Sequence, residues 1–455
     1  MNANLHLLAD MEKGNMRWLH GLGAVLGLGI GTLLAQTVAD PTLLDDINKI
    51  KAVDNHTHVG KVLGGGERDD DYDALPCNII EPALPALMQR PENPLVLEAW
   101  RKLYGYKYSD MDPEHAMELV SARERVLRAQ GDNFPSWVLD QLGTEYMLAN
   151  RVAMGRGLNP PRFLWVPFDD ALMAPLANDA LADNPDRRPF YAREAALLRS
   201  YLATASIAAL PPGLDEYVAK VVTPTLERQR EAGARAIKFE AAYLRSLDFG
   251  VADEEGARRI YEKYATGGVP SRAENLRVQD ALFRTIAREA GRLGMAVHLH
   301  TGTGCGNYFD LGGSNPLLLE SILDDPSLRK TVFVLLHGGS GPYTKAVAFL
   351  MGKPNVYADF SEQDALLSAR ALSGVLRDWL EWYPEKIMYG TDLSPGDPEM
   401  DWDVNGYVIN ATARQALALA LTGMMNDGEI TRQRALELAR LVLRENAVKL
   451  YGLGR

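Results

Sequence analysis

Short apolar runs rich in β-branched residues alternate with longer amphipathic stretches from Asn48 to the end of the chain. The runs are Ile50–Asn55, Glu145–Ala149, Arg162–Val166, Ala234–Phe239, Ala296–Leu299, Val332–Leu336, Asn355–Asp359 and Lys386–Tyr389. Each is short and apolar at consecutive positions, as strands covered on both faces require. Helical periodicity appears at Pro113–Gln130, Leu214–Ala232, Ser271–Leu293 and Ala365–Trp382, with Ser271 placed as an N-cap. A last helix is expected over Ile430–Leu453, with Gly452 as its stop. Eight strand–helix units fit a closed parallel barrel better than an open sheet, so the expected fold is an α/β (β/α)8 TIM barrel.

A plain barrel needs about 250 residues. The surplus in this chain of 455 falls in two gaps, about residues 60–144 after strand one and about 167–233 after strand three. Both large helical insertions follow strand C-terminal ends. Both are therefore expected over the barrel mouth as lid-like elements of one domain, residues 40–455.

One segment stands outside this rhythm. Gly21–Ala35 reads GLGAVLGLGIGTLLA and carries no charge. It is shorter than the roughly 20 residues a membrane span needs. Arg17 precedes it, and the small residues Thr37 and Ala39 suit a signal-peptidase site. Residues 1–39 are expected to be a secretory signal peptide. Asp10 and Glu12 suit a basic leader poorly, which points to Met16 as the natural start. The expected location is secreted or periplasmic, with no stable membrane span after cleavage. A retained anchor or a buried helix is the alternative.

Composition narrows the function classes. An apolar fraction of 47% excludes a disordered chain. Net charge −12 argues against nucleic acid as a partner and says nothing of the substrate, which is expected to be a small molecule. Two cysteines, Cys77 and Cys305, exclude a disulfide framework and a cysteine-rich zinc module. Their spacing does not say whether they pair, and oligomeric state is equally open.

The chain has eight histidines, and His6 and His20 lie in the leader. Of the rest, only His115 falls away from a strand end. His56 and His58 lie in VDNHTHVG, His298 and His300 in VHLHTG, and His337 in VLLHGG. Residues two apart on a strand point to one side, so His56 and His58 can share one cation. Imidazole suits Zn, Fe, Co or Mn. Asp392, in KIMYGTDLSP, ends the last strand and can ligate metal or accept a proton from water. His300, nearer the strand end than His298, is the expected fourth ligand. His298 is expected one layer deeper, as a support. The role of His337 stays open among substrate hydrogen bonding, acid catalysis and a second metal. Lys238 and Glu240 share a face at the end of strand four, in AIKFEAAY. Lys238 suits a substrate carboxylate, a carbamylated bridge between two metals, or a structural ion pair. Glu240 suits a metal ligand. Tyr243 and Arg245 follow at the mouth, where Arg245 suits an anionic substrate group or a solvated helix start.

These motifs resemble the amidohydrolase superfamily, in particular its amidohydrolase-related (amidohydrolase 2) branch. The strand-one His-x-His, the strand-five HTG, LLHGG and YGTD carry the resemblance. His337–Glu362 (HGGSGPYTKAVAFLMGKPNVYADFSE), the KxxAAYxR-like step at Lys238–Arg245 and the ending RENAVKLYGL strengthen it. Those stretches are most similar to the sub-branch found fused to glutamine-synthetase-like domains, and no such domain is expected within these residues. The resemblance spans roughly Asn48 to Leu453 and is weak in both insertions. It implies a divalent metal, most simply one zinc ion, held by His56, His58, His300 and Asp392. It implies that His337 orients or polarises substrate, and it allows a second metal through a carbamylated Lys238, beside the openings that Glu240 and His337 already leave for one.

The expected activity is hydrolysis of an amide, ester or lactone bond by metal-activated water, with Asp392 and His337 as catalytic groups. Lys238, Tyr243 and Arg245 are the expected substrate contacts. Metal-dependent decarboxylation of an unsaturated or aromatic acid is the alternative. A secreted binding protein without catalysis is a weaker third, because no strand-end ligand is missing.

Overall fold

A computed structural model describes residues 38–454, and the expected leader segment Gly21–Ala35 lies outside the described residues. The eight strands are β1 (Ala52–Thr57), β2 (Thr144–Asn150), β3 (Phe163–Val166), β4 (Ala236–Phe239), β5 (Ala296–His300), β6 (Phe333–Leu336), β7 (Val356–Asp359) and β8 (Ile387–Met388). All neighbouring pairs within β1–β3 and within β4–β8 are parallel. Two seams close the ring. Past β3, Lys238 N donates to Pro167 O at 2.8 Å and Asp169 N donates to Lys238 O at 3.0 Å. Between β8 and β1, Asn55 N donates to Tyr389 O at 2.9 Å and Asp392 N donates to His56 O at 2.8 Å. The result is the (β/α)8 barrel that the strand count implies.

Why the strands read as unbroken apolar runs is visible in the packing. Ile237, Phe239, Val297, Leu299, Phe333, Leu335 and Ala358 face the helices in the large outer core. Val53, Leu148, Val166, Ala236, Ala296, Val334 and Met388 fill the barrel interior with Tyr451 and Leu453 from the C-terminal end of the chain. The interior row continues upward from Ala236 to Lys238, and from Ala296 to His298 and His300. Polar residues therefore cap an apolar plug.

Most helices fall where periodicity places them. Pro113–Gln130 is helical over that span, and Ser271 caps Arg272–Arg292. The stretches at Leu214–Glu231 and Arg432–Tyr451 each contain a π-turn, at Val218–Val222 and Leu441–Glu445. The helix Trp402–Asn426 was not anticipated. It is buried along almost its whole circumference, so it lacks the polar face that periodicity reads.

Both expected insertions are present and helical. The first carries Pro94–Tyr104, Pro113–Gln130 and Phe134–Leu142; the second carries Arg187–Thr204 and Thr223–Glu231. Cys77 and Cys305 form a disulfide, which ties the first insertion to the loop after β5. Among the described residues, no helix is long and apolar enough to cross a membrane.

Candidate metal centre

The site lies where the polar interior row meets the strand ends. β1 shifts register against β2 between Asp54 and Thr57. Asn55 then bonds Asp359 at 2.6 Å while His56 turns towards Asp392. Bulged registers of this kind re-aim side chains beside functional sites. His56 Nε2 lies 2.9 Å from Asp392 Oδ1, and His58 Nε2 lies 3.3 Å from the same oxygen. His337 Nδ1 lies 4.0 Å from Asp392 Oδ2. Ligand atoms of His56, His337 and Asp392 sit within 4.8 Å of one another.

Backbone geometry holds this cluster. His337, Glu362 and Asp392, at or just past the ends of β6, β7 and β8, have φ of 61°, 62° and 56°. Left-handed backbone costs a non-glycine residue about 1–3 kcal/mol and persists where its surroundings enforce it. The His337 amide donates to Asp359 Oδ1 at 2.9 Å, and its ring Nδ1 meets Ser361 Oγ at 3.0 Å. Asp392 is pinned through its own amide to His56 O. On its other side, His56 Nδ1 meets the Asn150 amide at 2.6 Å.

The protonation pattern suits a metal. Burial, then the Lys238 charge, drive the His56 pKa down to about 3. The same two causes bring His300 to about 3. Burial also holds His337 well below its ordinary value. Neutral imidazoles of this kind offer lone pairs to a cation. Burial opposes ionisation of Asp392, but His337, His56 and His58 outweigh it and hold the carboxyl well below the usual range. For His58, burial is outweighed by Asp73 and Asp392, and its pKa rises.

The remaining expected residues divide. Lys238 is fully buried, with Nζ 3.3 Å from His56 Nε2. His300 reaches the mouth, its ring 4.5 Å from that of His337, but its Nε2 donates to Thr303 O at 2.7 Å. In this arrangement His337, rather than His300, completes the tight cluster with His56 and Asp392. His298 lies deeper, hydrogen-bonded to the Tyr451 hydroxyl at 2.8 Å. Tyr243 packs at the mouth against His300, with ring centroids 4.6 Å apart.

Arg245 already has buried partners. Its guanidinium is buried, donating to Asp280 Oδ1 at 2.7 Å, Asp248 O at 2.8 Å and Gln279 Oε1 at 3.2 Å. Phe249 stacks beneath it at 4.6 Å. Through Gln279 and Asp280 these bonds tie Arg245 to the helix Arg272–Arg292.

Glu240 is buried beside His58 and Asp73, and ligand atoms of these three also lie within 4.8 Å of one another. Burial, then Asp73, push the Glu240 pKa well above the carboxylate range.

Several site residues escaped sequence reasoning. Asn150 ends β2 in an otherwise ordinary strand. Asp73 sits in the acidic run DDDYD, which reads as solvated loop. Glu362 accepts from Thr303 Oγ1 at 2.8 Å and Ser340 Oγ at 2.7 Å through one oxygen. Burial, then Asp392, push its pKa up to about 8. Its position in DFSE, just past a strand end, was the available signal. A cavity of about 300 Å³ lies on the far side of Asp392 from the imidazoles, bordered by Met88, Gln89, Leu393, Met400 and Ile409, and of the site residues only Asp392 lines it.

Comparison with known proteins gives a concordant picture. The family model described as amidohydrolase matches residues 140–453. A 228-residue stretch is 30% identical to part of protein fluG of Emericella nidulans, covering 48% of this chain and 25% of that protein. The chain thus spans about a quarter of the curated relative it matches. A candidate metal-dependent hydrolase from Lactobacillus casei is similar in structure, with TM-score 0.55, 16% identity, and coverage of 90% of this chain and 97% of the other. Glucuronate isomerase from Caulobacter crescentus is similar too, with TM-score 0.56, 11% identity, and coverage of 91% and 94%. Identities this low show the shared barrel and nothing of the reaction.

Proposed function

The chain belongs to the amidohydrolase family, and from that premise we propose that it is a metal-dependent hydrolase acting on an amide, ester or lactone bond of a small substrate. The observation that carries this reading is the Asp392 carboxylate, ringed by His56, His58 and His337 at the barrel mouth. His56, His337 and Asp392 are the proposed ligands of a divalent metal, with His58 against the same carboxylate. Zinc is the proposed ion, because nitrogen and carboxylate donors in this number suit it. When bound, the metal supplies Lewis acidity and an acidified water.

The side chains divide the remaining work. Asp392 Oδ1 faces His56 and His58, which leaves Oδ2 to take a proton from the attacking water and return it to the leaving group. Burial, and then the neighbouring Lys238, keep His56 neutral. Tyr243 presents its ring to the substrate side of His300. The Cys77–Cys305 disulfide supports a secreted or periplasmic site of action, since such bonds persist in oxidising compartments.

Asp392→Asn tests the assignment. The variant should keep the wild-type circular dichroism and thermal unfolding while turnover falls about 10³-fold or more. The assay is a panel of amides, lactones and carboxylic acids. Full activity in Asp392→Asn would remove the proposed proton carrier. Carbon dioxide release without hydrolysis would move the reaction class to decarboxylation.

A further inference from the structure

The ending RENAVKLYGL carries part of the family resemblance, yet neither the metal centre nor the reaction uses it. We propose that Tyr451, in this ending, heads a relay of positioning residues with Asn55, Asp359 and Ser361. The relay holds the His337 ring with its proton on Nδ1 and its lone pair on Nε2. It rests on the metal-dependent reading of the mouth for the use of that lone pair, and on hydrogen bonds alone for its place.

Segments far apart in sequence meet in one line of hydrogen bonds inside the barrel. Tyr451 is buried among the interior apolar residues, and its hydroxyl donates to Asn55 Oδ1. Asn55 Nδ2 donates to Asp359 Oδ2 at 2.6 Å. The Ser361 hydroxyl donates to Asp359 Oδ1 at 2.7 Å, and the His337 amide donates to the same oxygen at 2.9 Å. Ser361 Oγ lies 3.0 Å from His337 Nδ1. Asn55, Asp359 and Ser361 are fully buried.

Each link has one direction. The partners of the Asp359 carboxylate are all donors: the Asn55 amide, the Ser361 hydroxyl, and the backbone amides of His337 and Ser361. A carboxylate met in this way acts as acceptor only. Ser361 has one hydroxyl hydrogen, and Asp359 takes it. Ser361 Oγ is therefore the acceptor towards His337, and Nδ1 brings the hydrogen. Asp392 Oδ2 stands 4.0 Å from the same nitrogen, beyond hydrogen-bond reach. A neutral imidazole carries one N–H, so Nε2 keeps the lone pair. Without Asp359, the serine hydroxyl would be free to donate to Nδ1 and reverse the tautomer.

Tyr451 fixes the head of the relay. Asn55 turned the other way would set its carbonyl oxygen against the Asp359 carboxylate, two acceptors face to face. The Tyr451 hydroxyl gives Oδ1 a donor and so keeps Nδ2 towards Asp359. His298 Nε2 lies 2.8 Å from the same hydroxyl. With the hydroxyl hydrogen spent on Asn55, His298 Nε2 is the donor there, and its buried Nδ1 is bare and without a partner. Asn446 anchors the ending itself, donating to Pro384 O and Ile387 O, both at 2.8 Å. At the mouth, His337 is held by its left-handed backbone, its ring 5.0 Å from His56 and 4.5 Å from His300. Nε2 is then the atom His337 offers to a cation.

Imidazole nitrogen resonances of the full chain, carrying nitrogen-15 histidine and stripped of metal at about pH 8, read the tautomer directly. His337→Gln identifies the His337 signals. The wild type should show a protonated Nδ1 and a bare Nε2. Ser361→Ala removes the acceptor, and the proton should pass to Nε2. Tyr451→Phe loses only the hydroxyl and should move the same signals in the same direction. Zn²⁺ affinity, by competition with a chromogenic chelator, should fall about 10-fold in both variants. Thermal unfolding checks both folds, and the wild-type spectrum needs neither variant. A wild-type proton on Nε2 would overturn the relay, as would His337 signals unmoved in either folded variant. The expected tautomer in a chain that takes up no Zn²⁺ would uphold the relay and remove the metal-dependent reading instead.

Discussion

Asn150 shows how much one unremarkable residue decides. Its amide sits 2.6 Å from His56 Nδ1, and its Oδ1 has no partner. The same amide nitrogen donates to Thr57 O at 3.1 Å, so Asn150 holds the His56 ring in place against β1. Partners of this kind orient a ligating histidine. Asn150→Ala should lower metal affinity about 10–100-fold, measured by competition with a chromogenic chelator. An unchanged affinity would deny Asn150 this part. Gly302 is a second decisive position. It has φ +89°, and an added Cβ would lie 2.3 Å from Ser340 N and 2.6 Å from Gly339 C. Both neighbours are backbone and cannot swing aside. Gly302→Ala should destabilise the fold by about 2–4 kcal/mol in urea titration, the sum of left-handed strain and displaced backbone. The histidines and Asp392 were legible in the sequence because strand-end polar residues interrupt apolar runs. Asn150 was not, because an Asn at a strand end is ordinary until its neighbour across the ladder is known.

The elements were legible where a single period governs them. Each of the eight strands lies within a few residues of its apolar run, because burial on both faces leaves no polar alternation to mislead. The helix Arg272–Arg292 was equally plain, since Ser271 and Glu274 form a capping box. Ser271→Ala should cost about 1 kcal/mol of stability in denaturant unfolding. Glu274 adds a pH signature. The Ser271 amide and hydroxyl, then Lys263, hold its pKa at about 2. A carboxyl with a depressed folded pKa stabilises fully above its unfolded value of about 4.3. That contribution fades as pH falls towards 2. The difference in melting temperature between wild type and Glu274→Gln should therefore be present at pH 6 and shrink by pH 2.5. A constant difference would point to packing. The helix Trp402–Asn426 and the two π-turns escaped for opposite reasons. The helix has no polar face, and each π-turn adds a residue that shifts the phase of the pattern.

Over the whole molecule, the disulfide joins residues 228 apart in sequence and closes the first insertion onto the loop after β5. Closing a loop of that length limits the unfolded chain by about 5 kcal/mol in the entropic account, an upper value for such bonds. Reduction, or a Cys77→Ala/Cys305→Ala double variant, should lower the melting temperature by several degrees. It should also loosen the segment that carries Asp73. Unaltered melting under reductant would show that the insertion is held by other contacts, such as Arg151 with Asp69. The sequence by itself determined the strand count, the closed parallel barrel, the sites of the two insertions and the gathering of imidazoles with Asp392. These follow from local period and from the rule that strand C-terminal ends share one face. Only the tertiary structure decided which donor atoms meet. It turned His300 Nε2 to Thr303, drew His337 towards Asp392, paired Arg245 with Asp280 and brought Asp73 against His58. Those outcomes depend on side-chain direction and on the path of insertions that no periodicity encodes, so contacts between distant segments settle them.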